Sequence, residues 1–224
     1  MPNIEPFQRY ADAYDRWFED HRDLLRAELA VVRELIPSPG AVGMEVGVGS
    51  GQFAEPLGIR IGVEPSERMA DRARERGISV HSGVAEALPF PGGRFDYVLM
   101  VTTICFVDDV ALSFGEAYRV LKAGGFIIVG FVDRESRLGR RYVERKERSR
   151  FYGDARFYST PEVLEYLEAS GFGITRVLQT LTSGEEGHAI LDGFGEGSFV
   201  AVQGRKTQSE PGGAGLGGRQ RLLL

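Results

Sequence analysis

The sequence predicts an α/β protein built on a mostly parallel sheet with helices packed against it. Three observations carry that reading. Short apolar runs alternate with helical patterns from residue 41 to about 132, glycines cluster immediately after the first run, and an acidic residue closes the second. The chain has 224 residues, 42% hydrophobic and 26% charged, which is enough for one substantial core. A single domain over 1–204 is expected. The remainder, 205–224, is glycine-rich without periodicity and is expected to be disordered.

Phe7, Tyr10, Ala11, Tyr14, Trp17 and Phe18, then Leu25, Leu29, Val32, Leu35 and Ile36, recur at close to helical spacing. They predict one long or once-broken amphipathic helix, a cap over 1–36 that stops at Pro37, Pro39 and Gly40. "AVGMEVG" reads as a buried first strand, "QFAEPL" as a brief helical turn and "IRIGVEP" as strand two. "SERMADRARERG" is a helix with Ser66 as N-cap and Gly77 as its stop. "ISVHSG" makes a third strand, and the unbroken apolar run in "RFDYVLMVTT" a fourth, covered on both faces. A helix follows, opened by Asp108 or Asp109 and closed by Gly124 and Gly125, then "FIIVGFV" as strand five. Beyond it, "STPEVLEYLEASGF" carries a Ser-x-x-Glu capping pattern, and "ITRVLQTL" and "SFVAVQG" read as two last strands.

Several functional classes are disfavoured at once. The formal net charge of −5 opposes a protein devoted to nucleic acid, because phosphate neutralisation needs a basic surface. One cysteine, Cys105, allows no intrachain disulfide, and no Cys or His cluster suggests a metal. No run approaches a membrane span and the first residues lack a signal-peptide pattern, so a cytoplasmic protein is expected.

The chemistry concentrates in "GMEVGVGSGQF". Gly47, Gly49 and Gly51 follow a strand and precede a helix, which lets the backbone bend sharply and offer bare N–H groups to a nucleotide-like ligand. A dinucleotide fingerprint needs a third glycine at position 52, where this chain has Gln52. Glu64 ends the second strand 17 residues after Gly47, the place from which a carboxylate can accept hydrogen bonds from ribose hydroxyls.

These motifs resemble those of class I S-adenosylmethionine-dependent methyltransferases, over residues 41 to about 203. "EVGVGSG" resembles the family's first motif, with Glu45 as its acidic residue, and "GVEPSERM" its second, with Glu64 as the ribose acid and Met69 near the adenine. "GVAEALPFPGGRFDYVLM" resembles the third and fourth, and "EAYRVLKAGGFIIVG" the stretch in which the helix before strand five ends in a glycine turn. The resemblance implies a Rossmann-like seven-stranded sheet whose last strand runs antiparallel. It implies S-adenosylmethionine as cofactor and S-adenosylhomocysteine as product, with no metal. The implied cofactor residues are Glu45, Gly47, Val48, Gly49, Gly51, Glu64, Pro65, Met69, Ala85, Glu86, Val101 and Tyr14. It also suggests that "FQRYADAYDRWF", with Tyr10, Tyr14 and Trp17, forms a lid over the cofactor.

The catalytic residues and the acceptor atom are not legible. Thr102, Thr103 and Cys105 stand where the transferred methyl should lie, in an apolar strand end of a kind that is more often core. His21 and His81 read as structural or surface residues, while His188 is a candidate base in the last connection. Asp108 and Asp109 suit a helix N-cap better than a metal. Residues 133–150 hold eight Lys or Arg and four Asp or Glu. With Phe151, Tyr152, Phe157 and Tyr158 they form a segment, 133–158, that is either a solvated face or a substrate-side insertion in which Arg140 and Arg141 select a neutral or anionic acceptor. Three readings follow: a small-molecule methyltransferase, a cofactor-binding sensor without transfer, and an RNA methyltransferase, the last opposed by the acidic total. No Pro-Pro-aromatic signature of a DNA-modifying enzyme is present.

Overall fold

A computed structural model describes residues 3–38, 40–181 and 189–207. The chain opens with two helices, α1 (Glu5–Asp20), which is kinked at Tyr10 (φ −117°, ψ 26°), and α2 (Arg22–Leu35), so the predicted N-terminal helix is both kinked and broken. The break falls at His21, whose backbone N–H donates to the Trp17 carbonyl oxygen at 3.0 Å while its Nδ1 lies 2.8 Å from the same atom. That double use of one carbonyl terminates α1, and His21 is structural, as its sequence setting suggested.

Strands and helices then alternate: β1 (Gly43–Val46), α3 (Ala54–Leu57), β2 (Ile61–Val63), α4 (Glu67–Glu75), β3 (Ser79–His81), β4 (Phe95–Val101), α5 (Val110–Val120) and β5 (Leu121–Val132). The last part contains α6 (Arg137–Arg145), a 3₁₀ turn at Lys146–Arg148, α7 (Thr160–Ala169), β6 (Phe172–Thr180), β7 (Leu191–Asp192) and β8 (Phe199–Lys206). Asp109 caps α5, accepting from the Leu112 amide at 2.9 Å, and Glu162 reaches back to the Ser159 amide at 2.7 Å to cap α7. α5 stops at Val120, before the glycine pair expected to end it. Leu121 turns extended (φ −73°, ψ 140°), is fully buried and pairs with Phe95, so the sheet claims the chain five residues before Phe126, where strand five was expected to start.

The sheet order is β3-β2-β1-β4-β5-β8-β6-β7, with β1 to β5 parallel and β8 inserted antiparallel between β5 and β6. This is the expected mostly parallel sheet with a reversed last strand. It gains an eighth strand, β7, two residues long at the edge of β6. β8 continues through Lys206, past the boundary predicted at 204. The tail beyond 207 and His188 lie outside the described residues.

Two apolar layers sandwich the sheet. On one face Phe114, Ala117 and Val120 of α5 and Val163 and Leu167 of α7 pack against Val98, Met100, Ile127 and Val129. On the other, Phe18 of α1, Val31, Val32 and Leu35 of α2, and Ala73 of α4 pack against Tyr97, Leu99, Val101 and Ile128. Alternate residues of β4 thus serve opposite cores, which is why its sequence is an unbroken apolar run. Among the described residues no helix is long and apolar enough to cross a membrane.

Candidate active site

At the carboxyl ends of β1 and β2 the three alternating glycines do different things. Gly47 has φ +67°, and a Cβ there would stand 2.6 Å from Thr103 Cγ2; Gly51, at φ +86°, is equally close to Ile78 Cδ1. Both conformation and packing therefore require glycine. At Gly49 a Cβ would meet nothing nearer than Met69 Cε at 3.5 Å and the Tyr14 hydroxyl at 3.6 Å, so its missing side chain keeps a space open.

The loop does not offer the bare amides that its sequence suggested. Gly47 and Val48 both donate to the Val63 carbonyl oxygen, at 2.8 and 3.1 Å, and Gly51 donates to Val48. The Gly49 amide donates to Glu64 Oε2 at 2.9 Å, while Ser66 donates to Oε1 at 2.9 Å. Glu64 is thus fixed by two amides, yet each of its oxygens retains a second acceptor direction. Burial pushes its carboxyl up to about 7, against the pull of the Ser66 and Gly49 amides.

A cavity of about 620 Å³ opens from this point. Of the sequence-predicted residues, Tyr14, Gly47, Gly49, Glu64, Pro65, Met69, Ala85, Glu86 and Val101 line it. Glu45, Val48 and Gly51 stand behind that wall rather than in it. The Val48 side chain lies against Gly62, Gly51 is wedged against the residues before β3, and Glu45 sits behind the loop, where the Ala54 amide donates to it. Burial raises the Glu45 carboxyl well above its ordinary range, against the pull of the Ala54 amide that ties it to α3, and its Oε2 is buried without a partner. Glu86 spends one oxygen on the amides of Asp108 and Asp109, at 2.7 and 3.2 Å, and leaves Oε2 buried and unpartnered in the wall.

Thr102, at the end of β4, also lines the cavity and holds φ +49°, a left-handed conformation unfavourable for a β-branched residue. Thr103 braces Gly47. Cys105 lies outside the cavity wall, half-buried, with its thiol pushed up to about 12 by desolvation and directed at the Thr102 carbonyl oxygen at 3.2 Å. It is a structural residue.

Much of the cavity wall is aromatic. Phe7, Trp17 and Phe18 come from the N-terminal helix, Phe106 from the loop after β4, and Tyr142, Phe151 and Tyr152 from the segment after β5. Phe7 packs on Phe106 with ring centres 5.0 Å apart and on Phe151 at 5.6 Å, so two remote parts of the chain meet over the site. α1 is further latched to the loop by polar contacts. Asp15 accepts from Ser50 Oγ at 2.5 Å and Gln52 Nε2 at 3.0 Å and pairs with Arg72, while Gln8 accepts from Ser66 Oγ and the Arg68 amide, each at 3.0 Å. Burial acts upward on Asp15, but hydrogen bonds from Ser50, Gln52 and Arg72 outweigh it and hold the carboxyl below its ordinary value.

The 133–158 segment contributes Tyr142, Ser149, Phe151 and Tyr152 to the wall, with the exposed Arg145 and Arg148 at its mouth. Arg140 and Arg141, expected to select the acceptor, are not in the wall; Arg140 turns back onto the Glu135 carbonyl oxygen at 2.6 Å. Phe157 and Tyr158 are core residues beside a much smaller void. Sequence reasoning missed Glu28 of α2, which lines the cavity and is 7% exposed. Its signal was present: Glu28 occupies the same helical stripe as Val31, Val32 and Leu35, all buried. Among the described residues no group of three or more His, Cys, Asp or Glu could hold a metal ion.

The reversed last strand, the glycine loop and the acid at the end of β2 together define the class I methyltransferase architecture. Comparison with known proteins agrees: residues 44–129 match the model of a methyltransferase domain. A crystal structure of an S-adenosylmethionine-dependent methyltransferase from Thermotoga maritima, described as a possible histamine N-methyltransferase, is 50% identical, with a TM-score of 0.87 over 91% of this chain and 100% of that one. An uncharacterized protein of Methanocaldococcus jannaschii is 40% identical over 203 residues, 89% of this chain and 98% of the relative. A demethylmenaquinone methyltransferase of Staphylococcus saprophyticus is 30% identical over 139 residues, covering 54% of this chain and 58% of the other. The chain belongs to the class I S-adenosylmethionine-dependent methyltransferases.

Proposed function

We propose that the protein binds S-adenosylmethionine at the glycine-loop end of the cavity, transfers its methyl group to a small-molecule acceptor at the aromatic end, and releases S-adenosylhomocysteine. The observation that carries this reading is the cavity of about 620 Å³ whose wall holds both the glycine loop with Glu64 and the cluster of aromatic side chains. Its size falls within the roughly 300–1,000 Å³ of small-molecule sites. Its residues fit the cofactor. Glu64 has acceptor directions left for ribose hydroxyls, Gly49 leaves open space for close approach, and Glu86 Oε2 is a buried acceptor awaiting a donor such as an adenine amino group. Pro65, Met69 and Ala85 form the apolar surround of the base, while Gly47, Tyr14 and Val101 enclose the methionyl end.

S-adenosylmethionine, when bound, supplies an electrophilic methyl group on a positively charged sulfur. The protein's task is then alignment and exclusion of water, which can supply about 7–11 kcal/mol without an elaborate catalytic constellation. Thr102, in its strained conformation at the floor, and the aromatic side chains opposite it hold the acceptor to one approach. A purified preparation supplied with S-adenosylmethionine and a panel of amines, phenols, thiols and carboxylates should release S-adenosylhomocysteine only with an acceptor. Cofactor binding without transfer to any small molecule, together with salt-sensitive RNA binding, would overturn the reading.

In this proposal α1 is a lid held by Asp15. Asp15→Ala removes a carboxylate that accepts from Ser50, Gln52 and Arg72, at an expected cost of about 1.5–3 kcal/mol to the docking of α1. Amide exchange over residues 5–20 should accelerate at least tenfold and cofactor affinity should fall, with the sheet still protected. Unchanged exchange in α1 would show that the apolar contacts alone hold it.

A further inference from the structure

One buried ionisable group in the cavity has no partner in the cofactor reading. Glu28 is 7% exposed, lines the cavity wall, and makes no hydrogen bond or ion pair among the described residues. Glu28 has no oxygen among the fully buried, unpartnered atoms, so its carboxyl faces the cavity, where a ligand can pair it. Burial alone pushes its pKa up to about 8. Its surroundings supply the other half of the argument. Glu28 shares the cavity wall with the half-buried Tyr14, Tyr142 and Tyr152. Tyr142 stacks on Tyr152 with ring centres 5.2 Å apart, and Tyr152 stacks on Phe106 at 5.8 Å. An acid set among aromatic faces is the arrangement that receives a cationic nitrogen, through an ion pair on one side and the ring quadrupoles on the others.

We propose that Glu28 determines acceptor specificity and that the acceptor is an amine on an aromatic or apolar body, an inference that rests on the methyltransferase reading above. Only a bound cation stabilises the ionised form of Glu28: a carboxylate acceptor would oppose that form with like charge, and a neutral alcohol or phenol would leave it without a counter-ion. Arg145 and Arg148 are exposed at the mouth and screened by solvent, whereas Glu28 is enclosed with the acceptor. The chemistry balances with no further reactant. The bound ammonium gives one proton to the Glu28 carboxylate, the freed nitrogen lone pair forms the N–CH₃ bond, and the electron pair of the broken C–S bond stays on sulfur. The products are a methylated ammonium, a neutral thioether and protonated Glu28, which returns its proton to solvent. The tyrosines cannot replace it as proton acceptor, because burial raises the hydroxyls of Tyr14 and Tyr152 far above neutral pH.

The test uses the intact chain saturated with S-adenosylhomocysteine, titrated with 2-phenylethylamine, tyramine, tryptamine and histamine and with the alcohol and carboxylate isosteres of each. At least one amine should bind ten or more times tighter than its isosteres and support S-adenosylhomocysteine release from S-adenosylmethionine. Glu28→Gln should erase that preference while holding S-adenosylhomocysteine affinity within twofold, which also shows that the variant is folded. If the wild-type protein binds S-adenosylhomocysteine but prefers no amine, or if Glu28→Gln keeps the preference, the amine proposal is overturned and the methyltransferase reading stands. If the wild-type protein does not bind S-adenosylhomocysteine, both fall.

Discussion

Glu64→Ala is expected to weaken S-adenosylhomocysteine binding by about two orders of magnitude while leaving the sheet folded. A hydrogen bond to a charged acceptor is worth about 1.5–3 kcal/mol, which is roughly ten- to 150-fold in affinity. The substitution removes more than a ligand contact, because the amides of Gly49 and Ser66 both donate to this carboxylate and would be left unpaired beside the cavity. Glu64→Gln should also bind weakly, since an amide side chain offers one acceptor where the two backbone donors need two. The pH dependence has a definite sign. Burial raises the carboxyl to about 7, and ribose hydroxyls donate to its ionised form, so wild-type affinity should fall about tenfold between pH 8 and pH 6. The Gln variant should lack that dependence. Calorimetric titration at the three pH values 6, 7 and 8 measures both effects, and an unaffected Glu64→Ala variant would remove this residue from the site.

The ligand-free protein is expected to become less stable as pH rises from about 5 to 8.5. Burial raises Glu28 to about 8, Glu64 to about 7, and Glu45 well above its ordinary range. The folded state therefore holds more protons than the unfolded chain in this window. The contribution is complete below an ordinary glutamate pKa and is lost as pH climbs through the raised values. For Glu28 the displacement from 4.5 to about 8 sets an upper bound of about 5 kcal/mol. Asp15 acts with the opposite sign, but its lowered value confines its effect to more acid conditions. Glu28→Gln, a neutral isostere, should flatten the alkaline side of the profile. At pH 8.5 it should melt at least ~5 °C above the wild type, since 1 kcal/mol corresponds to about 2–4 °C at this size. A wild-type profile that is flat or rises over pH 5–8.5 would show that these carboxyls are hydrated rather than buried.

The parts of this molecule that the sequence made legible are those in which local chemistry and global role coincide. β4 reads as a doubly covered strand because both of its faces meet core, and Asp109 and Glu162 read as caps because a cap needs only its own turn. The glycine loop and Glu64 were legible as a pair because their separation is fixed by one strand-helix-strand unit. What the loop amides do was not. Their acceptors, the Val63 carbonyl and Glu64, come from the neighbouring strand, and only three-dimensional packing shows that they are already occupied. The end of α5 was misplaced for a similar reason: burial of Leu121 in the sheet overrides a helical pattern that continues to the glycines. Glu28 was missed because one acid in a helix of alternating charge looks solvated until the helix is seen to turn that face inward.

The central claim is that this cavity is built for S-adenosylmethionine and its product rather than for a dinucleotide. Isothermal titration of the intact chain with S-adenosylhomocysteine, and separately with NAD, tests it most directly. The expected result is saturable binding of S-adenosylhomocysteine at one site per chain and no detectable heat from NAD at the same concentrations. NAD binding as tight as S-adenosylhomocysteine, or no binding of S-adenosylhomocysteine, would contradict it.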